Sequence, residues 1–217
     1  MVGIMGGTFD PVHYGHLRLA EHIREEFGLE GILFMPAGSP PHKRGTGILP
    51  ARHRLEMTRL AIAGNPSFRL HRHEIAKKGY SYTVETLEAL RAEGMGELAL
   101  IVGADSLLQM GQWHQPGGIL TRAVILVAPR PGVERAATDK AVRELTALHG
   151  GDIRISDATA MPHASTDIRE RVAAGKSIRY LVPEPVRDYI EKNGLYRGAA
   201  DHRIPRAERS SRAGDEG

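Results

Sequence analysis

Ala123-Val124-Ile125-Leu126-Val127-Ala128 is six apolar residues in succession, and it is the clearest buried strand in the chain. A strand with one wet face alternates apolar with polar; an unbroken run means a strand covered on both faces, as in a parallel sheet. Working outward, similar runs stand at Val2–Met5, Gly31–Ala37 and Leu98–Val102, with shorter candidates at Phe68–Leu70 and Ile153–Ile155. Helical spacing fills the intervals. Leu19, Ala20, Ile23 and Phe27 recur on one face before Gly28 stops them, and Leu55, Met57, Leu60, Ala61 and Ile62 suggest a second helix. Thr83 is a candidate cap for a helix carrying Val84, Leu87 and Leu90, and Ala141–Leu148 reads as a further helix. The β-then-α order repeats about five times, which predicts an α/β fold with a Rossmann-like doubly wound parallel sheet over residues 1–160.

After Met161 the pattern becomes helical only. Thr166–Ala174 and Pro185–Lys192 are the candidates, the second closed by Asn193-Gly194, and together they predict a small C-terminal helical subdomain over residues 161–197. Residues 198–217 hold Ile204 as their one large apolar side chain among many charges, so a disordered tail is expected. Gly38–Pro50 is rich in Gly and Pro and reads as a loop.

The totals bound the function. At 217 residues, 41% apolar and 25% charged, the chain suits one large soluble domain, or one with a small appendage. A net charge of +3 is too weak to argue for nucleic acid and fits a locally basic anion site. The absence of cysteine excludes disulfides, iron–sulfur clusters, thiolate chemistry and Cys-based zinc sites. No apolar run approaches the roughly 18 residues of a membrane span. Strand-like sequence from Val2 leaves no room for a signal peptide, so a cytoplasmic location is expected.

Five stretches carry chemistry. Gly6-Gly7-Thr8-Phe9-Asp10-Pro11-Val12-His13-Tyr14-Gly15-His16 directly follows the first strand. Ligands of such sheets bind beyond the carboxyl ends of strands, where helix N-termini attract phosphate. Paired glycines allow close backbone approach, and two histidines three apart share a face from which imidazoles donate to phosphoryl oxygens. A lone histidine there would more often be a surface residue; the whole string in this place is not. Pro40-Pro41-His42-Lys43 puts a lysine on the Gly/Pro loop, where it can meet phosphate or merely be solvated. Ser81-Tyr82-Thr83-Val84-Glu85-Thr86-Leu87 is a helix start, with a capping hydroxyl and unpaired N–H groups. Gly103-Ala104-Asp105-Ser106 ends a strand, and Asp105 there is either an acceptor for sugar hydroxyls or an N-cap. Trp113, the sole tryptophan, follows a polar stretch where a stacking surface competes with a core role. His163-Ala164-Ser165-Thr166-Asp167-Ile168-Arg169 gathers backbone donors, two hydroxyls and a guanidinium, a set suited to a triphosphate as well as to simple capping. Gly175-Lys176-Ser177 is not a P-loop, because Glu170 stands where the leading glycine belongs.

His13-Tyr14-Gly15-His16 resembles the H/T-x-G-H signature of the nucleotidyltransferase superfamily, and GGTFDPVHYGHL is similar to the same string in bacterial nicotinate-nucleotide adenylyltransferases. The resemblance recurs in order to about Arg197. It implies transfer of AMP from ATP to nicotinate mononucleotide in NAD biosynthesis, giving nicotinate adenine dinucleotide and pyrophosphate. It further implies that His13, His16, Lys43 and Arg169 act on the phosphates, and that Gly6, Gly7, Thr8, Phe9, Gly103, Asp105, Ser165 and Thr166 join them around ATP. Residues 161–197 would close that ATP site. Thr8, Lys43, Tyr82, Thr83 and Trp113 are the residues implied for nicotinate mononucleotide, with Trp113 stacking on the pyridine. Mg²⁺ would ride on the ATP phosphates, with no metal ligand from the protein. The family pattern I-S-S-T-x-I-R is broken twice, His163 replacing Ile and Ala164 the first Ser. Competing readings are another acceptor such as phosphopantetheine, a hydrolytic metal site using His13 and His16 with His71 and His73, and a non-catalytic nucleotide sensor. Neither nucleic acid nor membrane is an expected partner, and assembly into a homo-oligomer is left open.

Overall fold

The computed structural model of the protein describes residues 1–38, 48–77, 81–159 and 164–197. Six strands form one sheet with every pairing parallel: β1 (Val2–Gly7), β2 (Gly31–Pro36), β3 (Phe68–Leu70), β4 (Leu98–Gly103), β5 (Ala123–Ala128) and β6 (Ile153–Ile155). Their spatial order is β3-β2-β1-β4-β5-β6. The chain leaves β1 toward β2 and β3, then returns to the other side of β1 with β4. That reversal opens a crevice at the carboxyl ends of β1 and β4.

The unbroken apolar runs are explained by two cores. Side chains alternate across each strand, so Ile32 and Phe34 of β2 fall in one buried cluster while Leu33 and Met35 fall in the other. β5 divides likewise, Leu126 and Ala128 against Ile125 and Val127. The first cluster is covered by α1 (Tyr14–Glu26) and α2 (Ala51–Ile62), and the second by α4 (Thr83–Ala92), α5 (Ala104–Gln109), α6 (Pro116–Leu120) and α7 (Arg135–His149). A short α3 (His73–Ala76) precedes α4. Each large side chain buried in this way contributes roughly 1.5–3 kcal/mol.

The last helices, α8 (Ser165–Ala173) and α9 (Glu184–Lys192), place Ile168, Val186 and Ile190 in the same cluster as Ile23 of α1 and Met57 of α2. They complete one face of the sheet's core. Gly28 and Gly194, expected as helix stops, take φ of +61° and +58°, the left-handed region where a side chain is disfavoured. Thr83 is not the cap of α4. Tyr82 occupies that position with extended backbone and no side-chain cap bond, and Thr83 is the first helical residue. Among the described residues no helix is long and apolar enough to cross a membrane.

Candidate active site

A cavity of about 540 Å³ lies at the carboxyl ends of β1, β4 and β5, a volume suited to a nucleotide. α1 begins at its wall. His13 is the N-cap of α1 and is buried, and His16 lies one turn in. Their rings stack at 3.7 Å between centroids. The backbone N–H of His13 donates to Nδ1 of His16 at 3.3 Å, which leaves Nε2 to carry the ring proton. Burial above all, then His13 and Arg130, hold the His16 imidazole well below its ordinary pKa. At neutral pH it is an uncharged donor beside a helix N-terminus.

Gly6 and Gly7 serve different ends. A Cβ on Gly6 would meet nothing within 4 Å, so that wall stands open to a ligand, whereas a Cβ on Gly7 would lie 3.0 Å from the Phe9 ring. Phe9 is itself buried, with φ of +49°, and sets its ring edge-on to His16 at 5.1 Å between centroids. It therefore backs His16 as well as lining the cavity. The left-handed backbone of a bulky residue is local strain, of the kind retained where it shapes a site.

α8 begins across the same cavity, with Ala164 as an N-cap that offers no side-chain bond. The Ser165 hydroxyl donates to Pro11 O at 2.9 Å; Arg169 donates to Asp10 O at 2.8 Å and to Thr166 Oγ1 at 3.1 Å. Thr8, Gly103, Ser165, Thr166 and Arg169 all line the cavity with the histidines. Asp105 is not among the lining residues. It lies in the first turn of α5, where Gly103 is the N-cap, and pairs with Arg130 at 3.3 Å. A Cβ on Gly103 would fall 2.4 Å from Asp105 Oδ1 and 2.9 Å from Arg130 Nε, so a side chain there would displace this exposed pair. Lys43 and His163 lie outside the described residues.

Tyr82, Thr83 and Trp113 do not line this cavity. Tyr82 packs its ring on His114 at 4.4 Å between centroids, which brings the start of α4 beside the Trp113 segment, and Trp113 itself packs in part on the second core cluster. The Ser81 hydroxyl is buried there without a hydrogen-bond partner. His71 and His73 face Glu93 and do not line the cavity, so the four-histidine arrangement does not assemble. Among the described residues the group whose ligand atoms could hold a metal ion is His22, Glu26 and Asp157. Its members bond one another and their own loop: Asp157 accepts from His22 at 2.7 Å, and Glu26 accepts from the Ser156 hydroxyl and from Asp157 N.

Arg130 escapes a reading of the sequence, although its place two residues beyond the clearest strand is a usable signal. Arg18, Arg130 and Arg169 make the lining cationic.

Residues 4–171 match the cytidylyltransferase-like family. The chain is 43% identical over 202 residues to a probable nicotinate-nucleotide adenylyltransferase of Moorella thermoacetica, covering 92% of this chain and 93% of the relative. Against the corresponding protein of a Roseiflexus species it is 45% identical over 197 residues, with 90% and 98% covered. The chain belongs to the nicotinate-nucleotide adenylyltransferase family. The fold agrees with a solved Plasmodium falciparum nicotinic acid mononucleotide adenylyltransferase complexed with NaAD, at a TM-score of 0.70 and 15% identity over 90% of this chain and 96% of that one. As a member of the nicotinate-nucleotide adenylyltransferase family, the chain keeps His13-Tyr14-Gly15-His16 across the turn from β1 into α1.

Proposed function

We propose that the protein transfers the AMP part of ATP to nicotinate mononucleotide, forming nicotinate adenine dinucleotide and releasing pyrophosphate in NAD biosynthesis. One observation carries this reading beside the family: the N-termini of α1 and α8, bearing His13 with His16 and Ser165 with Thr166 and Arg169, face a single cationic cavity at the sheet's switch point. The 5′-phosphate of the mononucleotide attacks the α-phosphorus in line, and the bond to pyrophosphate breaks. This nucleophile is already anionic, so no general base is required. Catalysis is positioning plus stabilisation of charge on the phosphoryl oxygens. His16 supplies its Nε2–H donor with His13 beside it, and Arg169 and Arg130 hold phosphate. Lys43 is assigned to phosphate by the family resemblance.

The lining suits anions better than a hard cation. Its Asp10 carboxylate already accepts from Tyr196 and Leu49, and imidazole, guanidinium and hydroxyl groups make up most of the remaining polar side chains. Mg²⁺ is therefore taken as part of the MgATP substrate, where it neutralises phosphate charge. The acceptor's pyridine is assigned to the start of α4, with Tyr82, Thr83 and the Ser81 hydroxyl beside its carboxylate and Trp113 as its stacking wall. Residues 161–197 close the ATP site through α8. We place the reaction in the cytoplasm, in line with the absence among the described residues of a helix long and apolar enough to cross a membrane.

A pyrophosphate-release assay with ATP and either nicotinate or nicotinamide mononucleotide tests the reading. Release that depends on nicotinate mononucleotide is expected. ATP binding without release with either acceptor would make the protein a sensor and end the proposal.

A further inference from the structure

Beneath the loop after β1 lies a buried polar hub built from five parts of the chain. Asp10 is 3% exposed and all its acceptors are engaged. Oδ1 accepts the Tyr196 hydroxyl at 2.7 Å, Oδ2 accepts Leu49 N at 3.3 Å, and the main-chain oxygen accepts Arg169 at 2.8 Å. Arg54 of α2, 2% exposed, spreads its guanidinium over three carbonyls: Thr8 at 2.8 Å, Gly38 at 2.9 Å and Leu49 at 3.0 Å. A network so fully satisfied selects one arrangement of its members, because any other leaves a buried group unpaired.

We propose that Tyr196 is a positioning residue for the reaction: by fixing the Asp10 side chain it holds the Asp10 carbonyl that anchors Arg169. The proposal rests on the assignment of Arg169 to the ATP phosphates. Tyr196 follows α9 with φ of +64°, and its ring packs on the first core cluster near Met57. Burial first, then the Asp10 charge, push its phenol far above the ordinary range, so it stays a donor at any working pH. Removing the hydroxyl alone leaves Oδ1 buried without its donor. The residue then rotates or admits water, and the carbonyl under Arg169 shifts with it.

The test is a double-mutant cycle of Tyr196→Phe and Arg169→Ala in the full chain, read as kcat/KM for ATP well below the melting temperature. Phenylalanine keeps the ring and removes only the donor. Tyr196→Phe is expected to lower kcat/KM for ATP about ten- to a hundredfold, and to cost little more once Arg169 is alanine. A merely structural tyrosine would lower the melting temperature and leave the kinetics of the folded enzyme alone. Unchanged kinetics, or the full loss persisting in Arg169→Ala, overturns the proposal by itself. If Arg169→Ala has no effect on ATP, the assignment of Arg169 falls and the proposal with it. Asp10→Asn provides a second arm of the same cycle should Tyr196→Phe fold poorly, and non-additivity is again expected.

Discussion

Burial, His13 and Arg130 together keep the His16 ring neutral, while the His13 backbone N–H occupies Nδ1, so on the proposed reading a phosphoryl oxygen would meet a neutral Nε2–H donor. Removing a donor aimed at developing charge costs about 2.7–4 kcal/mol, or roughly 100–1,000-fold in turnover. His16→Ala should therefore lose turnover by that factor in the pyrophosphate assay while its circular dichroism stays native. Near-wild-type turnover would remove His16 from the mechanism. The depressed pKa can be checked without catalysis. In the free protein the His16 ring should show no NMR titration midpoint near 6.5, only one at lower pH. The unfolded chain then takes up this proton first as the pH falls. The contribution to stability is complete above about pH 6.5 and is lost as the pH drops toward the folded value. Wild type should accordingly lose more melting temperature between pH 7 and pH 5 than His16→Gln, and equal losses would contradict the shift. His13 and His16 are legible in the sequence because their signature is contiguous. Arg54, Arg130 and Tyr196 are not, since an arginine or tyrosine reads alike whether solvated or buried. Only the fold brings Arg54 to Thr8, across 46 residues.

Elements differ in how much they can choose. At the α4 start Tyr82 offers no side-chain acceptor and Glu85 takes the Tyr82 backbone N–H, which leaves the first-turn N–H groups and the positive dipole end for an anion. On the proposed placement nicotinate would bring a carboxylate there, whereas nicotinamide would bring N–H donors facing donors, at about 1–3 kcal/mol. The wild-type enzyme should prefer the acid by about ten- to a hundredfold in kcat/KM, the same energy expressed as a ratio. Trp113→Ala should weaken both mononucleotides and preserve that ratio, because a stacking wall serves either ring. Equal use of both by the wild type would refute the helix-start argument, and a ratio that collapsed in Trp113→Ala would transfer the selectivity to the aromatic. The strands were readable because two-sided burial writes itself as unbroken apolar runs, and β5 and β6 match to the residue. Helices α3, α5 and α6 were not, since four to six residues are too few to display an i, i+3, i+4, i+7 pattern. The start of α7 also lay hidden: it begins at Arg135, six residues before the apolar pattern that marks it.

The whole molecule divides its two cores unequally between the ends of the chain. α8 and α9 seal the core that α1 opens, down to the buried Leu195. Residues 198–217 carry Ile204 as their one large apolar side chain, so from the sequence they are expected to add nothing to the core. Truncation after Arg197 should leave melting temperature and activity unchanged, and a loss of either would show that the tail packs on the body. The doubly wound sheet was legible as a whole because its strand-to-helix rhythm is local. That the last helices close the site was implied only by the family resemblance, and the contacts that bring them to it run from one end of the chain to the other. Ser165 reaches Pro11 across 154 residues, Arg169 reaches Asp10 across 159, and Tyr196 reaches Asp10 across 186. During synthesis those separations become waiting times. At about 5–20 residues per second the first loop stands on the order of ten seconds or more before its partners leave the ribosome. A nascent chain can complete its sheet and display both histidines while the pocket still lacks one wall. A chain that has emerged as far as Tyr196 is thus the first form in which all these contacts can close the pocket.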